Sequence, residues 1–124
     1  MASKPGPLPP EKVEALTKLM QLYSEEKDWN RLVEVVLRLA EFNPDPKAKG
    51  KYLMTAAIVT ERQVKDLAEA ANLYERVVEA DPSNDKALEE AIRIRAEQGD
   101  HHGSERLLRV RLERAKSTGD KPVQ

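Results

Sequence analysis

The 124-residue sequence predicts an all-α fold of six helices in three antiparallel pairs, and three observations carry that expectation. The first is the placement of proline. It stands at 5, 7, 9, 10, 44, 46, 82 and 122, and nowhere within 11–43, 47–81 or 83–121. Proline inside a helix costs about 3 kcal/mol, because it lacks an N–H and clashes with the preceding turn. Each proline-free stretch has about the length of two helices. The second observation is a polar or glycine step near the middle of each stretch, ending on Asp28, Asp66 and Asp100. An aspartate there accepts from an unsatisfied N–H at the start of the next helix. The third is apolar residues recurring at a period of 3.6. Nothing alternates at period two, and the Glu-, Lys-, Ala- and Leu-rich segments favour helix over strand.

The elements follow in order. Residues 1–10, with four prolines and one glycine, read as an extended, solvated, disordered leader and not as the apolar core of a secretory signal. The first unit, 11–46, carries stripes of Val13, Leu16, Leu19, Met20 and Tyr23, then of Leu32, Val35, Val36, Leu39 and Phe42. It closes on Asn43-Pro44-Asp45-Pro46, which is turn chemistry. The second, 47–83, repeats the pattern with Leu53, Ala56, Ala57 and Thr60, then Leu67, Ala70, Ala71, Tyr74 and Val77. It closes on the similar Asp81-Pro82-Ser83-Asn84. The third, 84–117, has Leu88, Ala91, Ile92 and Arg95, then Leu107, Leu108 and Leu112. Residues 118–124 are expected to form a disordered tail. The capping aspartates are spaced 38 and then 34 residues apart, a repeat-sized interval.

These residues resemble the tetratricopeptide repeat, a 34-residue helix pair with large, small and aromatic residues at set offsets. The first unit matches through Leu16, Leu19, Met20, Tyr23, Trp29, Leu32, Val36, Leu39 and Pro44. The second matches through Leu53, Ala56, Ala57, Leu67, Ala70, Tyr74, Val77 and Pro82, with one extra residue in its inner turn. The third matches through Leu88, Ala91, Ile92, Gly99 and Leu108, with Arg95 and Arg111 where tyrosine and alanine belong. In the first inner turn, Lys27-Asp28 replaces the family's glycine. The resemblance implies a right-handed superhelix, an α-solenoid, in which neighbouring pairs bury a continuous core. It also implies that the first helix of each pair lines a concave groove that binds a peptide or a partner helix.

The composition argues against catalysis and against a cofactor. There is no cysteine, no Gly-x-Ser-x-Gly, no glycine-rich phosphate loop and no His-Glu-x-x-His. The abundant carboxylates fall largely on polar helix faces, which solvation alone explains. His101 and His102, the only histidines, point about 100° apart on a helix and chelate one metal poorly, so no metal site is expected. The longest apolar run is Ala56-Ala57-Ile58-Val59, far short of a membrane span. Cytoplasm is the expected address.

Net charge is −1, but it is uneven: +1 over 1–60, −5 over 61–100 and +3 over 101–124. Arg106, Arg109, Arg111, Arg114 and Lys116 crowd the last helix. Cations there complement the helix dipole. Arg106, Arg109, Leu112 and Arg114 also form a candidate surface for a second copy or an acidic protein. Without aromatic or glycine interleaving, nucleic acid is the weaker partner class for this helix.

The repeat offsets put Gln21, Lys51, Met54, Ile58, Arg62, Lys86, Glu89 and Arg93 on the concave face. Met54 and Ile58, one helical turn apart, are expected either to hold an apolar side chain inside a charged rim or to touch the adjacent first helices. Tyr23, Trp29, Phe42 and Tyr74 match core positions, and Tyr52 matches none. The expected function is therefore a protein-interaction module or scaffold that binds a peptide or partner helix. Structural self-assembly through the last helix is the alternative, and RNA binding by helical repeats is a third. No small-molecule substrate is expected.

Overall fold

The computed structural model describes residues 8–117, with side chains to residue 115. The leader apart from residues 8–10, and the tail 118–124, lie outside the described residues. Among the described residues six α-helices follow one another: α1 Pro10–Glu26, α2 Trp29–Glu41, α3 Pro46–Val59, α4 Leu67–Ala80, α5 Asp85–Glu97 and α6 His101–Ser117. Each packs on its neighbours in the chain, α1 on α2 through to α5 on α6.

Local chemistry sets the helix starts. Prolines open α1 and α3, where a missing N–H costs nothing. Asp28 Oδ1 accepts from Arg31 N at 3.4 Å, Asp66 Oδ1 from Glu69 N at 3.1 Å and Asp100 Oδ1 from Gly103 N at 2.8 Å. These are the three aspartates named from the sequence. Asp45 and Asn84 cap α3 and α5 in the same way. In the turn after α4, Asp81 Oδ1 accepts from Ser83 N and Oγ, and these bonds hold the carboxyl below its usual range.

The three inner turns share one backbone device. The residue before each capping aspartate is left-handed: Lys27 at φ 60°, Lys65 at φ 66° and Gly99 at φ 74°. Glycine reaches that region without penalty, whereas a side chain with a Cβ pays strain. Two lysines therefore do the work of the glycine that the third turn has. The extra residue of the second unit also finds a place. It is absorbed in a π-helical turn, Thr60–Val64, between α3 and Lys65. A single wide turn admits one more residue without breaking the helix.

The core lies in α2 to α5. Val36, Ala40, Leu53, Ala57, Ala70, Tyr74, Val77, Leu88, Ala91 and Ile94 are buried in one cluster, joined by Leu107 of α6. Small side chains at Ala56, Ala57, Ala70, Ala71, Ala87 and Ala91 bring the backbones close. The end helices differ. No residue of α1 is buried, and Met20 and Tyr23 lean on the core from outside. Of the expected stripe on α6, Leu107 is buried while Leu108 and Leu112 stand 47% and 56% exposed. Each end helix packs on a single neighbouring helix, so one neighbour covers what two cover elsewhere. Trp29 and Tyr52 rest half-buried against the core.

Candidate functional site

The candidate groove residues fall on three helices. Lys51, Met54 and Ile58 lie along one face of α3, and Glu61 and Arg62 follow in the π turn. Met54 and Ile58 are half-buried and pack against the core, each keeping part of its surface accessible. Lys86, Glu89 and Arg93 lie on the exposed side of α5. Gln21, on α1, donates to Glu25 one turn on, at 3.3 Å.

One polar network joins the α3 and α5 faces. Arg93 Nη2 donates to Glu61 Oε2 at 2.6 Å and also to Glu90 Oε1, while Nη1 reaches Glu97 at 3.2 Å. Tyr74, almost wholly buried on α4, donates its hydroxyl to the other oxygen of Glu61 at 2.9 Å. Burial works to raise the Glu61 pKa, but hydrogen bonds from Arg93 and Tyr74 and the charges of Arg93 and Arg62 outweigh it. The carboxyl is held below its usual range. Burial, then the hydrogen bond to Glu61 and its charge, push the Tyr74 phenol well above its ordinary value. Hydrogen bonds to Glu90 and Glu61 hold Arg93 firmly charged. Arg93, expected in the rim as a cation facing a ligand, is thus tied by three carboxylates and acts as a strut between the π turn and α5. The exposed cations of the rim are Lys51, Arg62 and Lys86, the last 3.9 Å from Glu90.

A second network answers a question posed by the sequence. Arg95 stands where the repeat pattern has tyrosine. Its side chain is 13% exposed and pairs with Glu75 of α4 at 3.0 Å, while Nη2 also donates to Asn72 at 2.6 Å. Arg106 of α6 reaches the other oxygen of Glu75 at 2.9 Å. An ion pair therefore fills a site where an aromatic ring was expected, and α4, α5 and α6 are joined through it.

The candidate surface on α6 is changed by these contacts. Arg106 pairs with Glu75, Arg111 approaches Glu89 at 3.8 Å, and Arg114 pairs with Asp85 at 3.2 Å. Arg109 pairs within its own helix with Glu105 at 3.0 Å. The basic last helix thus neutralises the acidic segment before it, and most of its arginines point to the chain's own carboxylates. Among these charges α6 also offers an outward apolar stripe. Leu108 and Leu112, with His101, Ser104, Glu105 and Arg109, line a shallow cavity of about 410 Å³.

At the other end, a cavity of about 690 Å³ lies between α1 and α2 and reaches Arg76 of α4. Leu16, Leu19 and Tyr23 of α1 and Val35 and Leu37 of α2 form its apolar wall, and Arg31, Glu34, Arg38 and Glu41 lie around it. The sequence places all of these but Leu37 in packed stripes. Among the described residues no helix precedes α1, and part of its stripe is therefore accessible surface.

Among the described residues, no three His, Cys, Asp or Glu side chains are grouped to hold a metal, and no helix is long and apolar enough to cross a membrane. Comparison of the chain with known protein families, with curated proteins and with solved structures finds no significant match.

Proposed function

We propose that this protein is a non-catalytic interaction module, a tetratricopeptide-like right-handed stack of three helix pairs that binds a peptide or partner helix across α3 and α5. Three features support the repeat reading. The left-handed residue and capping aspartate recur in all three inner turns. The turns keep repeat-like spacing, and equivalent positions of α2 and α4 are buried alike.

The observation that carries the binding reading is the Glu61–Arg93 pair. Glu61 continues the stripe of Met54 and Ile58, and Arg93 continues that of Lys86 and Glu89. The 2.6 Å contact joins the two stripes at one point, and this supports reading them as one surface. Its centre is apolar and partly accessible, and its margin carries Lys51, Arg62 and Lys86. Such a surface suits a segment presenting one apolar side chain between acidic ones, bound through helix anchors at one-turn spacing.

The test is selection from a displayed peptide library. Selected peptides should share an apolar residue flanked by Asp or Glu. Met54→Glu should abolish their binding while leaving the helical circular dichroism unchanged. Undiminished binding by a folded Met54→Glu protein would place the site elsewhere.

A further inference from the structure

The two end helices expose apolar stripes that the rest of the molecule covers. The turns give a common count for comparing positions. Leu108 and Leu112 stand eight and twelve residues after Asp100. At the same distances from Asp28 are Val36 and Ala40, both 0% exposed. At those distances from Asp66 are buried Tyr74 and half-buried Val78. In α2 and α4, each of which packs on a following helix, these positions are covered. In α6 they are open.

The first helix shows the matching half. Ala15, Leu19 and Leu22 lie on one face of α1, all exposed, with Leu22 at 44%. Counting back from the next turn, their counterparts in α5 are Ala87, Ala91 and Ile94, all fully buried. Those in α3, allowing for the one residue taken up by the π turn, are Tyr52, Ala56 and Val59, buried or packed on the core. So α3 and α5, each of which packs on a preceding helix, cover the positions that α1 leaves open. The open contact has the same register on both sides: among the described residues, no helix follows α6 and none precedes α1.

We propose that the protein associates head to tail with further copies of itself, the Leu108–Leu112 stripe of one α6 seating on the Ala15–Leu19–Leu22 stripe of the next copy's α1. The contact repeats between chains what α2 makes with α3 and α4 with α5 within one chain. Two more observations favour a second copy as the occupant. The cavity beside α1 offers Leu16, Tyr23 and Val35 as further apolar wall for the incoming leucines. The helices also differ in charge: α1 carries four glutamates against two lysines, while beside Leu108 and Leu112 the 75% exposed Arg109 is the cation of α6 that pairs within its own helix and not with the acidic segment before it. Opposite charge favours the heterologous pairing over α6 on α6 or α1 on α1. A head-to-tail contact uses two different surfaces, so it leaves a free end and yields open oligomers.

Sedimentation and light scattering across a concentration series test this. The parent protein should show a mass rising with concentration beyond a dimer. Leu112→Glu and Leu22→Glu should each weaken association at least about tenfold, the effect of setting a charge in an apolar contact. The decisive sample is the mixture. Leu22→Glu keeps the α6 stripe and Leu112→Glu keeps the α1 stripe, so together they should form one-to-one dimers that go no further. A parent that stays monomeric overturns the proposal. So does a dimer that Leu112→Glu dissolves while Leu22→Glu leaves it whole, since that is α6 pairing with α6. Neither variant touches Met54 or Ile58, so failure here is separable from failure of peptide binding.

Discussion

Replacing Lys65 by glycine should stabilise the protein, although glycine usually weakens a helical protein. Lys65 sits at φ 66° between the π turn and the Asp66 cap, and its side chain is exposed. A residue with a Cβ in the left-handed region pays about 1–2 kcal/mol. Glycine removes that strain but loosens the unfolded chain, which costs about 0.4–1 kcal/mol. The Lys65 N–H donates to the Thr60 carbonyl, and glycine keeps that bond. The net gain expected is about 0.5–1 kcal/mol, or roughly 2–8 °C in melting temperature for a domain of this size. Gly99→Ala gives the mirror image. Nothing lies within 4 Å of the added Cβ, so no clash contributes and the loss is backbone strain alone. Strain of about 1–2 kcal/mol, less the ~0.4–1 kcal/mol gained by restricting the unfolded chain, leaves an expected cost of about 0.5–1 kcal/mol. Urea unfolding followed by far-ultraviolet circular dichroism measures both. If Lys65→Gly instead loses the ~0.5–1 kcal/mol that glycine costs in an ordinary helix, the turn is not left-handed there and the reasoning fails.

Two further predictions concern the polar networks. Breaking a well-buried ion pair costs about 3–5 kcal/mol, but Arg95 and Glu75 retain some solvent contact, so their coupling should be about 1–2 kcal/mol. A double-mutant cycle with Arg95→Gln and Glu75→Gln reads it directly, and a coupling indistinguishable from zero would make the pair incidental. Tyr74 gives a pH dependence. Its folded pKa lies above the ordinary phenol value of about 10, so the unfolded chain loses its proton first as pH rises. The stabilising contribution is therefore full below that pH and lost above it. The parent should lose stability more steeply beyond about pH 10 than Tyr74→Phe does; parallel curves in urea titrations would contradict the Glu61 contact.

Residues close in the chain were the legible ones. Asp28, Asp66 and Asp100 each cap a helix by reaching an N–H three residues on, so their role can be read without any tertiary structure. The extra residue of the second unit is visible in the distance from the first-helix stripe to the capping aspartate, 13 residues from Leu53 to Asp66 against 12 from Leu16 to Asp28 and from Leu88 to Asp100. Its accommodation as a π turn is not, because that form depends on α3 and α4 both staying packed around it. The candidate groove was legible as a set of positions through repeat offsets. The role of Arg93 was not, since Glu61 lies 32 residues away.

The sequence by itself determined that the chain is helical, where the helices after the inner turns begin, and most of the inward faces of α2, α3 and α4; on α5 it named Leu88 and Ala91 but missed Ala87 and Ile94. Those properties rest on capping, proline and 3.6-residue periodicity, whose range is about one helical turn. Tertiary structure alone decided the rest. It turned the basic α6 inward onto Glu75, Asp85 and Glu89 and put an ion pair where Arg95 replaces an aromatic. It also left Leu19, Leu22, Leu108 and Leu112 uncovered. A leucine on an apolar stripe is written the same way whether or not a neighbour covers it. Only the arrangement of the helices shows that, among the described residues, no neighbour covers these positions of α1 and α6.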